Sequence, residues 1–150
     1  MRILGSIFIG LAPFVFGVKK YSLLMLRKKA FGEILTVLQE VINQINYTNK
    51  ELYKILECYN APYFKLESPI RVNENYMKTM GVNLKETALI NEFLLALQKG
   101  DREYLSSRSK QGLNLITELK TEAETELKQK GKVTLAVYGG IGLMAFLVLV

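Results

Sequence analysis

From Val133 to Val150 the chain reads VTLAVYGGIGLMAFLVLV, eighteen residues without a charge. At 1.5 Å rise per residue such a helix is about 27 Å long, close to the ~30 Å hydrocarbon thickness of a bilayer. The stretch predicts a transmembrane helix over 133–150, because a buried core helix of that length normally keeps a polar face and this one has none. At the other end Ile3 to Val18, ILGSIFIGLAPFVFGV, is also uncharged and predicts a second span over 3–18. That span is lengthened if Lys19 and Lys20 snorkel while Tyr21 to Leu26 lie near the interface. The rival reading is a cleaved signal peptide with Arg2 as its basic start, but no A-x-A-like site follows and the segment runs into Lys19-Lys20. Pro13 donates no amide hydrogen bond to the turn before it and can kink the first span.

Residues 27–132, between the spans, read as helices throughout. Phe31, Ile34, Leu35, Leu38, Val41, Ile42 and Ile45 recur at three- and four-residue spacing, with Glu33, Thr36, Gln39, Glu40, Asn43 and Gln44 opposite them. Thr48-Asn49-Lys50-Glu51 fits a capping box that opens a helix through Leu52, Ile55 and Leu56, ended by Asn60-Ala61-Pro62. Ser68-Pro69 reads as an N-cap and first-turn proline opening a short helix that stops near Gly81. Asn83 caps a further helix carrying Leu84, Ala88, Leu89, Phe93 and Leu97, and Gly100-Asp101 marks a helical hairpin. The last helix puts Leu105, Ser109, Gly112, Ile116, Leu119, Ala123 and Leu127 on one stripe and runs straight into the second span. No stretch shows sustained period-2 alternation between turn pairs. The expectation is therefore all-α: a helical bundle of about five or six helices between an N-terminal and a C-terminal transmembrane helix.

Charge gives this arrangement a direction. The chain carries 20 basic and 14 acidic residues, a formal charge of +6. All of the excess precedes the first acid, Glu33, as Arg2, Lys19, Lys20, Arg27, Lys28 and Lys29; the remainder is balanced. A distribution of this kind argues against a basic groove for nucleic acid and for a cluster beside the membrane. Lys128, Lys130 and Lys132 stand just before the second span, so the positive-inside rule puts residues 27–132 in the cytoplasm as the middle of a two-pass membrane protein. Tyr21 and Tyr138 suit the membrane interfaces, and the four-residue spacings Ser6–Gly10 and Ala136–Gly140 allow helices to pack closely in lipid.

Composition removes most chemistry. With no histidine and one cysteine, Cys58, the chain has no histidine triad, no histidine or cysteine metal centre and no intrachain disulfide. Gly131-Lys132 lacks the remainder of a phosphate-binding loop, with Glu126 where its first glycine belongs and Val133 after the lysine. Cys58 has only Lys54 within helical reach and reads as a small core residue rather than an activated thiolate. No catalytic, cofactor-binding or metal-ligating residue is assigned, and no small-molecule substrate. Glu118, Glu122 and Glu126 form an i, i+4 row whose like charges cost a few tenths of a kcal/mol per pair unless something basic faces them. They are candidate partner contacts, with a solvated face offset by Glu124–Lys128 and Glu126–Lys130 as the bland alternative.

Three stretches together resemble the stage III sporulation protein AB family of endospore-forming Firmicutes. They are LGSIFIGLAPFVFGVKK with the basic cluster after it, residues 35–56 with Ile45, Tyr47, Thr48 and Leu52, and residues 116–150 with Glu122-Ala123, Gly131-Lys132, Gly139-Gly140 and Gly142. The resemblance implies a non-enzymatic platform subunit in the mother-cell membrane around the forespore, part of the channel or secretion-like complex joining the two cells. Its soluble domain would be similar to the helical cytoplasmic domains of type II secretion platform proteins. Its partners would be other membrane proteins of that complex and its secretion-type ATPase, approaching from the cytoplasm. A platform subunit of a vegetative secretion or pilus system is the alternative, and a membrane-bound enzyme using a carboxylate pair a third.

Overall fold

The computed structural model describes residues 2–47, 63, 66–67, 71–97 and 102–149. Among them lie four helices and one two-stranded hairpin: α1 (Arg2–Tyr47), β1 (Leu66–Glu67), β2 (Arg71–Val72), α2 (Glu74–Thr79), α3 (Leu84–Leu97) and α4 (Arg102–Leu149). Among the described residues the helices number four, where five or six were expected between two separate spans. Each span is the end of a longer helix. No glycine or proline interrupts the 14 residues from Val18 to Phe31, so α1 runs unbroken from the apolar segment into the amphipathic one, and it also continues across Pro13. At the other end α4 carries the last amphipathic stripe directly into the second apolar stretch, as the periodicity predicts. The Thr48–Glu51 capping box, Cys58, the Asn60-Ala61-Pro62 stop, Ser68-Pro69 and the Gly100-Asp101 hairpin lie outside the described residues.

The chain divides into two compact units, Met1–Met25 with Ala123–Val150, and Leu26–Glu122. The Leu26–Glu122 unit has a continuous apolar core. From α1 come Ala30, Phe31, Ile34, Val37, Leu38 and Val41; from α3, Ile90, Phe93, Leu94 and Leu97; from α4, Ile116 and Leu119. Val72, Met77 and Val82 close it. The predicted α1 stripe is largely the buried one, with Val37 added, and Ser109, Gly112 and Ile116 of the α4 stripe are buried as expected. Gly112 has a specific reason to be glycine, because a Cβ there would run into the ring of Phe93.

Two local features differ from the sequence expectation. Antiparallel β1 and β2 pair Leu66 with Val72 and Glu67 with Arg71, strands too short to show alternation. The Val72 amide donates to Asn91 Oδ1 at 2.7 Å, fastening the hairpin to α3. α2 opens at Glu74, where Asn73 Oδ1 accepts from the Tyr76 amide at 2.7 Å, and the turn after it uses Gly81 at φ 77°, a left-handed conformation that favours glycine. The stop near Gly81 therefore holds while the start moves to Asn73.

In the other unit, α1 and α4 pack antiparallel along a glycine-bearing seam. Gly10 meets Gly142, Gly17 meets Tyr138, and Tyr21 meets Gly131. A Cβ on Gly10 would lie 3.1 Å from the Gly142 carbonyl oxygen, one on Gly17 would lie 2.7 Å from Tyr138 Cβ, and one on Gly131 would lie 3.0 Å from the Tyr21 ring. Small residues let the backbones approach this closely, as in lipid-embedded helix pairs. Of the small-residue spacings read from the sequence, Gly10 is used, whereas Ala136 is exposed and Gly140 faces open space. The partner glycine is Gly142.

Candidate functional site

Glu118, Glu122 and Glu126 all belong to α4, with Glu118 and Glu122 in the Leu26–Glu122 unit and Glu126 in the other. Glu118 and Glu122 are exposed. Glu126 is half-buried and accepts from Lys130 Nζ at 2.8 Å, the i, i+4 pair foreseen in the sequence. Glu122 lies 3.9 Å from Arg27 Nη2, with its own side chain 65% exposed. Two of the three glutamates thus have a cation within the chain, and Glu118 makes no ion pair among the described residues. The polar face of α1 is exposed at Thr36, Gln39 and Asn43 and offers a second contact surface. Its Glu33 accepts from the Tyr63 amide at 2.7 Å, and its Glu40 accepts from Gln44 at 3.0 Å.

A buried ion pair that the sequence does not single out joins α1 to α3 at the Asn83 cap. Arg27 of α1 and Glu86 of α3 form a buried ion pair at 2.5 Å, with side chains only 10% and 7% exposed. Glu86 also accepts from the Asn83 amide at 2.9 Å, and Asn83 Oδ1 accepts from the Glu86 amide at 2.9 Å. Asn83-Leu84-Lys85-Glu86 is therefore a reciprocal capping box whose glutamate does a second job on Arg27. That pairing lies on the buried face of α3. Glu86 and Thr87 turn inward, while Leu84 is 63% exposed and Ala88 and Leu89 face solvent, which corrects the first half of the expected apolar stripe; its second half, Phe93 and Leu97, is buried as expected. Two signals could have found it: the N-x-x-E pattern at Asn83, and a charged residue, Arg27, standing four before Phe31 on the apolar stripe of α1. The Arg27 guanidinium also lies 5.8 Å from the Phe31 ring centroid, a favourable cation–π distance.

The unit of helix ends has the opposite character. α1 and α4 are each long and apolar enough to cross a membrane. Their seam is narrow, so Phe14, Val15, Phe16, Ile141, Met144 and Val148 remain exposed, Val148 by 84%. A continuous apolar surface of this size is a liability in water and the expected outer face in lipid. Lys20 Nζ lies over the Tyr138 ring at 5.2 Å, bringing the basic end of one apolar stretch beside the other. Among the described residues no three acidic or cysteine side chains group as metal ligands. No family model, curated protein or solved structure matches this chain.

Proposed function

We propose that this protein is a non-enzymatic, membrane-anchored platform subunit of the sporulation channel or secretion-like complex joining mother cell and forespore, contacting that complex's ATPase from the cytoplasm. The family resemblance supplies the process. The observation that carries the platform reading is the pairing of two lipid-suited helices from opposite ends of the chain with a separately packed helical unit between them. Lysines flank both apolar stretches on the side of that unit, which the positive-inside rule puts in the cytoplasm. Such a protein works mechanically, presenting helix faces to partners and passing their movement to its anchor. Glu118, Glu122 and the polar face of α1 are the contact surfaces, and Glu126 is the third member of the row.

Deletion of the gene in its own host tests the process: normal growth with few heat-resistant spores, stalled after engulfment, is expected. Normal sporulation with a defect in vegetative secretion or pili moves the same platform to a growing cell and refutes the sporulation reading. Changing Glu118, Glu122 and Glu126 to lysine tests the surface. Lost co-purification of the ATPase with retained helical circular dichroism is the expected result, and unchanged co-purification removes this row from the interface. Cys58 is the only thiol, so an impermeant thiol reagent that labels it in intact cells would overturn the orientation.

A further inference from the structure

The lysines that the platform reading uses only for orientation also form a charged feature of the unit of helix ends. Within it, five lysines stand at one end of the apolar pair: Lys19 and Lys20 on α1, and Lys128, Lys130 and Lys132 on α4. The antiparallel register fixed by Tyr21 against Gly131 and Gly17 against Tyr138 brings both groups to the same end of the pair, with Lys132 beside Lys20. All five are exposed. Lys130 is paired with Glu126 and Lys20 lies over Tyr138, whereas Lys19, Lys128 and Lys132 have no acidic partner among the described residues.

We propose that Lys19, Lys128 and Lys132 form a collar that binds the phosphodiester headgroups of anionic glycerophospholipids. The inference rests on the two-span reading above. Lys128 and Lys132, four apart, share one face of α4. Lys19 lies two residues from Gly17, whose position faces α4, and so points away from that helix. The ammonium groups therefore surround the pair instead of converging on a pocket. A free phosphate would meet one lysine at a time. A leaflet presents headgroups to all of them at once, next to the apolar stretch that holds them at headgroup depth. The chemistry and the geometry together favour the bilayer as the source of phosphate. Each lysine near an anionic surface strengthens binding about fivefold, and the effect falls with salt.

The test is titration of fluorescent phosphatidylglycerol and phosphatidylcholine into the purified full chain in neutral detergent micelles. The wild type should bind phosphatidylglycerol at least about tenfold more tightly, with the preference shrinking as sodium chloride rises. The triple variant Lys19→Gln, Lys128→Gln, Lys132→Gln should lose that preference. The same three positions changed to arginine should keep it, and Lys130→Gln, whose charge Glu126 already offsets, should change it little. Equal binding of the two lipids by the wild type overturns the proposal, as does a preference surviving in the triple glutamine variant. Displacement by soluble glycerol phosphate at matched concentration also overturns it in favour of a free-phosphate site. Extraction of the wild type from membranes by alkaline carbonate would refute the two spans. A carbonate-resistant protein without lipid preference refutes only the collar.

Discussion

Replacing Arg27 with methionine tests whether the buried pair sets the packing of α3. Methionine keeps an unbranched apolar stem but removes the guanidinium, leaving the Glu86 carboxylate 7% exposed with the Asn83 amide as its remaining donor. Breaking a buried ion pair by deleting one partner costs about 3–5 kcal/mol, because the survivor stays desolvated and uncompensated. One term reduces this and another adds slightly to it. The Asn83 amide and the N-terminal dipole of α3 still favour a negative charge, by about 0.5–1 kcal/mol. The 3.9 Å contact with Glu122 adds little to what is lost, because that side chain is 65% exposed and a solvated pair is worth about 0–1 kcal/mol. The net expectation is a loss of about 3 kcal/mol, or roughly 6–12 °C in Tm.

The double variant Arg27→Met, Glu86→Leu separates a structural pin from a mere contact. Replacing both partners with apolar groups removes the desolvated charge, so its loss should fall at least about 2 kcal/mol short of the two single losses added together. Arg27→Lys should lie between wild type and methionine, since an ammonium keeps the charge but not the planar fork. Thermal unfolding of the full chain in nonionic detergent, followed by far-UV circular dichroism, reads all five proteins: wild type, Arg27→Met, Glu86→Leu, the double variant and Arg27→Lys. A Tm for Arg27→Met within about 1 °C of wild type, or strict additivity in the double variant, refutes the reasoning.

Two further substitutions probe close packing in each unit. Gly112→Ala gains about 1 kcal/mol of helix propensity but drives a methyl into the Phe93 ring, and overpacking of about 1–3 kcal/mol should dominate; Phe93→Leu in the same chain should restore much of the lost Tm. In the helix pair, Gly142→Val puts side-chain atoms against the Gly10 backbone carbonyl, which has nowhere to move unless the helices separate. It should lower detergent stability clearly, while Gly140→Val, facing open space two residues away, should leave it unchanged; equal effects would mean the seam is wrongly located.

What was legible in the sequence was the part governed by one helix's own periodicity. Phe31, Ile34, Leu38 and Val41 are buried because a 3.6-residue repeat fixes their common face whatever lies opposite. The same holds for Ser109, Gly112 and Ile116 on α4. The rotation of α3 was only partly legible from its apolar residues: Phe93 and Leu97 are buried as expected, but the expected stripe puts Leu84, Ala88 and Leu89 on their face in place of Ile90 and Leu94. The observed face also carries Glu86, whose ion-pair partner lies 59 positions away. Gly140 and Gly142 raise the same difficulty: both are small residues in an apolar run, and only contact with Gly10 distinguishes them. The continuity of α1 was available as an absence of breakers from Val18 to Phe31, but hydrophobicity and amphipathicity change there and suggest a boundary that the backbone does not have.

This bears on how much the acidic row asks of a partner. Read from sequence, three glutamates at i, i+4 carry two unfavourable neighbours and invite a basic ligand to relieve both. In the structure Lys130 offsets Glu126 and Arg27 lies near Glu122, so much of the repulsion is already compensated within the chain. The electrostatic incentive for a partner is then concentrated at Glu118, exposed and without an ion pair among the described residues. Glu122 is available for a different reason: Arg27 is already committed to the buried Glu86, at 2.5 Å against 3.9 Å, so a partner's cation can recruit Glu122 without breaking the inner pair. A basic partner should therefore depend most on Glu118, next on Glu122 and least on Glu126, an order that single glutamine substitutions in the co-purification assay would reveal and that the bare spacing does not contain.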